Sequence, residues 1–396
     1  MEGGPKLMTS WTTKGLTLLL AGLLLCELFF QLRTATSWGH DSWQMGDWLI
    51  HYGEGFVRRG FAGSAVRWIS GITGWQANHV VIGISLMAFI GLGLWMGFRA
   101  KACFSTPYLL SSLMLGFPVY QEGVVRKDAC LLLLLIAGLA LMAHGKKWRG
   151  WKWPAVVIVA MVAILIHEAF LFFGLPCLLL AGLKTTRDGV KRLLIFLPVF
   201  VCGLAVVLHH GSPDQAAAIH ESWRPLWEEI ENRPVPSEPA SAIAALGWSP
   251  AEGRALVAPM WAGIYQPMAW AAVFLMSASL LLAFTRRESR ADTMGWGALL
   301  LGGIAPLFIL GTDYGRWIFF WSASVVILVA TRTPVPWGVA DRLRARIHGG
   351  RIEAIWDLAG KQSWVLLLLG LPLLWSIEIF TQAGPLPRFF FRWIAW

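Results

Sequence analysis

Long apolar segments recur along the whole chain, and they constrain the fold more than any other feature of the sequence. Inside a bilayer every backbone N–H and C=O group needs a partner within the protein, so such segments cross as α-helices. The sequence therefore predicts an all-α polytopic membrane helical bundle of about eleven transmembrane helices, in one integral membrane domain, 1–396. The predicted spans are residues 15–32, 78–98, 104–120, 128–145, 154–166, 169–183, 193–209, 266–284, 294–311, 317–331 and 363–383.

Two of these assignments have alternatives. Residues 154–183 as a single helix would be about 45 Å long, whereas the hydrocarbon core is about 30 Å thick. We therefore predict two short helices that turn at His167 and Glu168. Residues 1–37 resemble a signal peptide, but the apolar run 15–32 is longer than a usual signal-peptide core. We predict a retained first helix, with a cleaved signal as the alternative.

The basic residues predict the orientation. If the N-terminus is cytoplasmic, most of the 33 Lys and Arg residues lie in cytoplasmic segments, as the positive-inside rule requires. A single helix over 154–183 would move Arg342, Arg344 and Arg346 to the outside, which the rule disfavours. The C-terminus is then predicted to be periplasmic. Because membrane topology explains the net charge of +10, no nucleic-acid partner is predicted.

The predicted outer face carries two long loops. The first outer loop, 34–77, contains a candidate site, and the large outer loop, 210–265, is a candidate lid that includes the amphipathic stretch ESWRPLWEEI. On the inner face, 334–361 predicts a basic helix along the membrane surface. The five cysteines show no metal-ligand spacing, so neither a disulfide nor a zinc site is predicted. No cofactor is predicted, and dependence on a divalent cation is left open.

Four polar segments fall on the outer face in this topology: GDWLIHYGEGFVRRG, QEGVVRKD, the HE pair and GTDYGRW. Guanidinium groups present a planar fork of donors to phosphate oxygens. The candidate phosphate-binding residues are Arg58, Arg59, Arg126, Lys127 and Arg316. A carboxylate near apolar walls can have a raised pKa, which suits a general base. The candidate catalytic residues are Asp47, Glu54, Glu168 and Asp313, with His167 beside them.

Each of these groups also has a structural explanation. Adjacent arginines can contact lipid phosphates, and Asp128 can cap the fourth span. His167 and Glu168 can hydrogen-bond to each other. Asp313 and Arg316 have the i, i+3 spacing of a local salt bridge.

The motifs EGFVRRGFAG and GTDYGRWIFF resemble those of a group of bacterial polytopic inner-membrane proteins with FVRRG and D-x-GRW motifs. More distantly, the arrangement is similar to GT-C glycosyltransferases and to EpsG-like and Wzy-like polysaccharide polymerases. This resemblance implies a bacterial inner-membrane location, a polyprenyl-phosphate-linked sugar donor, and a glycan or lipid acceptor. It implies that Asp47 or Glu54 is the base and that Arg58, Arg59 and Arg316 hold the phosphate. The first loop departs from the paired acidic motif that is common in GT-C enzymes, since it carries GDW and GEG.

Three functional hypotheses follow. The first is a glycosyltransferase or polymerase in membrane lipid, with Trp223, Trp227, Trp248 and Trp261 as surfaces for sugar rings. The alternative is a transporter or flippase of an anionic or lipid-linked substrate, which predicts broken helices near the middle of the membrane. A third is an acyltransferase with His167 as the base.

Overall fold

The computed structural model describes residues 10–143, 151–183, 185–258, 267–347, 350–373 and 384–394. Within these ranges every regular element is a helix, and the β-geometry found there is one isolated bridge between Phe104 and Thr285. The predicted all-α class is confirmed.

The first part of the chain contains two long helices that match predicted spans. Its helices are α1 (Ser10–Ala35), α2 (Trp43–Leu49), α3 (Gly60–Thr73), α4 (Ala77–Phe98), α5 (Thr106–Leu110) and α6 (Asp128–Ala143). The predicted span 104–120 is wrong as a continuous helix. Ser111 Oγ donates to the carbonyl of Tyr108 at 2.8 Å and competes with helix propagation, so α5 ends there. A π-helical turn follows at Pro118–Glu122.

The middle part alternates short apolar helices with the helices of the large outer loop. Its helices are α7 (Lys152–Ile166), α8 (Phe170–Leu180), α9 (Thr186–Ile195), α10 (Leu197–Leu208), α11 (Pro213–Ser222), α12 (Arg224–Glu231), α13 (Ser241–Ala244) and α14 (Pro250–Val257). The break between α7 and α8 includes His167 and Glu168, where the sequence predicted a turn. The predicted span 193–209 is bent by 54° between α9 and α10. Pro198, at the start of α10, lacks the N–H that a continuous helix would need.

The last part of the chain ends in short helices. They are α15 (Pro267–Ala283), α16 (Arg290–Ile304), α17 (Leu307–Leu310), α18 (Tyr314–Ala330), α19 (Val339–Ile347), α20 (Arg351–Gln362), α21 (Trp364–Leu369) and α22 (Pro385–Ile394). The surface helix predicted within 334–361 corresponds to α19 and α20. The predicted span 363–383 is helical over Trp364–Leu369, and 374–383 lies outside the described residues.

The lengths of the helices fit a membrane-embedded protein. Among the described residues, three helical stretches are long and apolar enough to cross a bilayer: Thr13–Ala35, Ala77–Ala102 and Arg287–Leu310. The bent pair Arg187–Ile195 and Leu197–Leu208 makes a fourth if it counts as one span. Other apolar helices, including α6, α7, α8, α15 and α18, have 10–17 residues. By helix length, the described residues therefore contain three or four full-length spans, fewer than the eleven predicted.

The described segments meet in two groups that follow the predicted topology. Predicted inner segments contact each other: Arg286 N donates to the carbonyl of Cys103 at 2.8 Å, and Arg290 binds Asp357 at 2.7 Å. Predicted outer segments also contact each other, around a second hydrophobic core that includes Trp48, Val125 and Trp227. α18 is buried along its full length in the main core. The candidate site lies where α18, α6 and α8 begin and α7 ends.

The large outer loop packs directly on the first outer loop. Trp223 Nε1 donates to the carbonyl of Leu49 at 2.8 Å, and His51 Nε2 donates to Ser222 Oγ at 2.9 Å. Trp227 is fully buried and Trp223 nearly so. These two indoles are therefore core residues, and the prediction that they stack on sugar rings is wrong. Trp248 packs on Trp43 with 6.0 Å between ring centroids, and Trp261 lies outside the described residues.

Candidate functional site

Charged side chains from the four predicted outer segments meet in one place. They come from α2, from the residue before α3, from the start of α6, from the break between α7 and α8, and from the start of α18. The charged cluster consists of Asp47, Arg58, Arg59, Arg126, Lys127, Asp128, Glu168, Asp313 and Arg316. These residues are up to 269 positions apart in the sequence, so helix packing brings them together.

Arg59 lies at the centre of one half of the cluster. Its Nε donates to both carboxylate oxygens of Glu168, at 3.1 and 2.8 Å. Its Nη1 donates to Asp47 Oδ1 at 3.0 Å. Its backbone is left-handed, with φ +64°, immediately before α3. This conformation costs a non-glycine residue about 1–2 kcal/mol. The two carboxylates hold Arg59 in this conformation.

Lys127 joins this half of the cluster from the start of α6. Its side chain is fully buried, and Nζ lies 3.1 Å from Asp47 Oδ2 and 2.8 Å from the Asp47 carbonyl. The same ammonium also donates to the carbonyl of Ile166, at the end of α7. Burial lowers the pKa of Lys127, and the charge of Asp47 opposes this shift. Lys127 thus connects α2, α6 and α7.

Arg316 lies at the centre of the other half. Its Nε is 3.0 and 3.1 Å from the two oxygens of Asp128, and both side chains are almost completely buried. Asp313 lies 3.2 Å from Arg126 and 3.4 Å from Arg316, so the expected i, i+3 contact is present. The charge of Arg316 also lowers the pKa of Asp47, which places the two halves within electrostatic range.

Asp47 and Glu168 are more acidic than the sequence predicted. Burial alone would raise the pKa of Asp47, but the charges of Lys127 and Arg59 outweigh it and hold the pKa below its usual range. At Glu168, burial would likewise raise the pKa, but the charge of Arg59 outweighs it and the pKa lies well below its usual value. The expectation of raised pKa values at these two carboxylates is wrong. Both groups remain ionised at neutral pH.

His167 is enclosed by this arrangement. Its side chain is buried, and Nδ1 accepts a hydrogen bond from Ala169 N–H at 3.2 Å and lies 3.5 Å from Glu168. Burial, followed by the charge of Arg59, lowers the pKa of His167 well below its usual value. The acyltransferase hypothesis needs an accessible imidazole base, and His167 does not provide one.

Two predicted residues differ from the rest. Glu54 is exposed in the turn Tyr52–Glu54 and lies outside the charged cluster, although its backbone carbonyl accepts a bond from Gln215 at 3.0 Å. Arg58 belongs to the cluster, but its guanidinium lies beyond ion-pair distance of the four carboxylates of the cluster. It donates to the carbonyl of Ala245 at 2.8 Å, and its buried Nε has no hydrogen-bond partner. Burial, and then the charge of Arg59, lower the pKa of Arg58.

The balance of charges sets what the cluster can bind. Its cations are Arg58, Arg59, Arg126, Lys127 and Arg316, and its carboxylates are Asp47, Asp128, Glu168 and Asp313. The charged cluster therefore has one positive charge in excess. The carboxylates contact cations, so this set of donors suits an anion better than a metal ion.

Comparison with protein-family models, curated proteins and solved structures found no match for this chain. The resemblance drawn from the FVRRG and D-x-GRW motifs therefore stays a prediction.

A second buried group was missed by the sequence reasoning. Glu27, inside the first apolar run, binds Arg388 at 3.0 Å and Arg392 at 2.8 Å. Gln31 donates to the same carboxylate at 3.0 Å. A carboxylate within an apolar span is itself a signal of a specific partner, and Glu27 carried that signal. The partners were not predictable because they lie in α22, at the other end of the chain.

Proposed function

We propose that this chain is a membrane glycosyltransferase or polysaccharide polymerase that acts on the outer face of the bacterial inner membrane. Its donor is a sugar linked to a polyprenyl phosphate, and its acceptor is a glycan or lipid hydroxyl. In this proposal the short apolar helices also cross the membrane, in a GT-C-like arrangement of about eleven crossings. The charged cluster is the binding site for the phosphate of the donor.

The excess positive charge at Arg58 is the observation that carries this proposal. The other four cations of the cluster contact carboxylates, whereas Arg58 has a backbone carbonyl for one nitrogen and no partner for Nε. A buried donor without a partner costs about 1–3 kcal/mol. A phosphate oxygen would accept from this Nε and would neutralise the excess charge.

The surface next to Arg58 suits a lipid-linked donor. α3 begins immediately after Arg59 and exposes the side chains of Phe61, Trp68 and Ile72, and Trp75 is exposed after its end. An exposed apolar stripe on a helix that starts at a charged site is typical of a helix in the lipid interface. A polyprenyl tail would contact this stripe while its phosphate reaches Arg58.

Asp313 is the proposed base. It is the most exposed carboxylate of the cluster, at 27%, and its ion pairs of 3.2 and 3.4 Å are the longest. The acceptor oxygen attacks the anomeric carbon, and its proton passes to Asp313. The bond from that carbon to the phosphate oxygen breaks, and the phosphate leaves with the electron pair. Arg58 stabilises the negative charge that develops on the leaving group.

Binding of a labelled polyprenyl phosphate to the protein in nanodiscs tests the proposal. The wild-type protein should bind polyprenyl phosphate with much higher affinity than the matching polyprenol, which lacks the phosphate. Arg58→Ala should weaken binding by at least about tenfold, the scale of one lost charge-assisted hydrogen bond. Arg67→Ala, an exposed arginine on α3, is the matched control and should bind as the wild type does. Equal binding of phosphate and polyprenol, or undiminished binding by Arg58→Ala, would contradict the proposal.

One observation favours the transporter or flippase alternative. The helices are interrupted at the charged cluster, between α7 and α8 and between α17 and α18, as in transporters with discontinuous helices. A transporter would move a fluorescent polyprenyl-phosphate analogue between leaflets of proteoliposomes without consuming it. A glycosyltransferase would instead release polyprenyl phosphate from a glycosylated donor when an acceptor is added.

A further inference from the structure

A group of metal-ligand side chains joins the two outer loops away from the charged cluster. His40 and Asp41 lie in the first outer loop, and Glu231 ends α12 in the large outer loop. Their ligand atoms all lie within 4.8 Å of one another, and His40 Nδ1 is 2.7 Å from Glu231 Oε1. In the described ranges, no other three His, Cys, Asp or Glu residues come together in this way.

A neighbouring histidine provides independent evidence for a ligand. His220 is fully buried, and its Nε2 is 2.8 Å from the carbonyl of Pro236. A carbonyl only accepts, so Nε2 carries the proton and neutral His220 has a lone pair on Nδ1. That buried Nδ1 has no hydrogen-bond partner. A histidine that binds a metal commonly donates its other N–H to a backbone carbonyl, as His220 does.

His220 packs next to this group, although it is not one of the three residues whose ligand atoms lie within 4.8 Å of one another. The centroids of His40 and His220 are 6.1 Å apart, in an edge-to-face arrangement. Two imidazoles on one Zn²⁺, with bonds of about 2.0–2.1 Å, have centroids roughly 5–6 Å apart. Two ligand atoms of such an ion lie about 3.3 Å apart, so His40 Nδ1 and Glu231 Oε1 need to separate by only a few tenths of an ångström.

We propose that His40, Asp41, His220 and Glu231 form a site for Zn²⁺ or a similar divalent transition metal. Imidazole nitrogens with carboxylate oxygens favour such ions over Mg²⁺ and Ca²⁺, which prefer oxygen ligands alone. Arg233 lies 3.0 Å from Glu231 Oε2, and the backbone N–H of His40 donates to Oε1 at 2.8 Å. Both contacts orient the carboxylate, and Oε1 is the oxygen nearer to the His40 ring.

The bound ion would fix the large outer loop on the first outer loop. α2 follows His40 and Asp41 within two residues, and α2 carries Asp47 of the charged cluster. The metal is therefore structural: it holds the segment that positions Asp47 and takes no part in bond breaking. This role does not depend on which reaction, or which transported substrate, the charged cluster serves.

Metal content of the full-length, tag-free protein tests the site. After treatment with EDTA, incubation with ZnSO₄ and gel filtration, the wild-type protein should retain about one zinc per chain. His220→Ala should retain much less, and His79→Ala, which removes an exposed histidine from α4, should retain as much as the wild type. A wild-type protein without zinc, or a His220→Ala variant with full zinc content, would overturn the proposal.

Asp41→Asn keeps the test informative if His220→Ala does not fold, because Asp41 is exposed. This variant should bind zinc at least about tenfold more weakly. Zn²⁺ should also raise the melting temperature of the wild type more than that of Asp41→Asn, because a ligand stabilises the state that binds it. Equal zinc affinity and an equal shift in melting temperature for the two proteins would contradict the assignment.

Discussion

Arg316 and Asp128 form a buried ion pair across 188 positions of sequence, with 3.0 and 3.1 Å from Nε to the two carboxylate oxygens. The two side chains are 6% and 1% exposed. A pair this enclosed joins α18 to α6 and leaves little surface for a substrate. Arg316 therefore has a structural role in this arrangement, and its phosphate-binding role stays a prediction.

Removing one member of this pair should destabilise the protein more than removing both. Arg316→Ala leaves the buried carboxylate of Asp128 without the guanidinium that it binds, and such changes cost about 3–5 kcal/mol. The double variant Arg316→Ala/Asp128→Ala removes both charges and should recover part of that loss. Thermal unfolding in detergent measures the difference. A double variant less stable than either single variant would show that the pair is not coupled in this way.

Stability should fall in acid in two stages. Asp47 and Glu168 have lowered pKa values in the folded protein, against usual values of 3.8 and 4.5. A group with a lowered folded pKa stabilises the protein above its unfolded pKa and loses that contribution as pH falls. The melting temperature should therefore decrease below about pH 6.5, where His51 and His167, whose pKa values are also lowered by burial, bind protons only in the unfolded chain. It should decrease further below about pH 4.5, where Asp47 and Glu168 bind protons in the unfolded chain.

The Asp47→Asn variant should show a smaller decrease in acid than the wild type. Glu54→Gln, which changes an exposed carboxylate outside the cluster, should follow the wild-type curve. An Asp47→Asn variant that loses as much stability as the wild type below about pH 4.5 would contradict the lowered pKa of Asp47.

Two glycines of α3 should respond oppositely to alanine. A Cβ on Gly63 would lie 2.9 Å from the backbone carbon of Leu49 and closer still to Ile50, whereas a Cβ on Gly71 would meet nothing within 4 Å. Gly63→Ala should separate α3 from α2 and lower the melting temperature. Gly71→Ala should raise it slightly, because alanine favours an exposed helix position by about 0.5–1 kcal/mol. Similar effects of both substitutions would contradict the close packing at Gly63.

Cysteine labelling should separate the two predicted faces. In a background without the five native cysteines, Ser237→Cys in the large outer loop should react with an impermeant maleimide from the periplasmic side. Ala345→Cys, exposed on α19, should react only after the membrane is permeabilised. Reaction of both positions from the same side would overturn the proposed topology.

Apolar patterns predicted much of the fold, because membrane helices are specified by composition and length. α4, at Ala77–Phe98, differs by one residue from its predicted span, and the break at His167 and Glu168 was expected. The interruption after α5 was not predicted, since it depends on a hydrogen bond from Ser111 to its own turn. A hydropathy profile contains no information about such side-chain hydrogen bonds, which compete with the hydrogen bonds of the helix backbone.

The sequence predicted which residues belong to the site better than it predicted their partners. Sidedness alone placed Asp47, Arg59, Glu168 and Arg316 on one face. Whether a cation is free or paired depends on how helices from distant parts of the chain pack, and no local pattern contains that information. Arg58 and Arg59 are adjacent in sequence, yet Arg59 binds two carboxylates and Arg58 binds a backbone carbonyl.

The contact between Glu27 and Arg392 has a consequence for biosynthesis. The two residues are 365 positions apart, so a ribosome that adds about 5–20 residues per second needs roughly 20 to 70 seconds to make the second after the first. During that interval the newly inserted α1 holds its carboxylate without the arginines that neutralise it. A chain that stops before α22 would never acquire these two partners for Glu27.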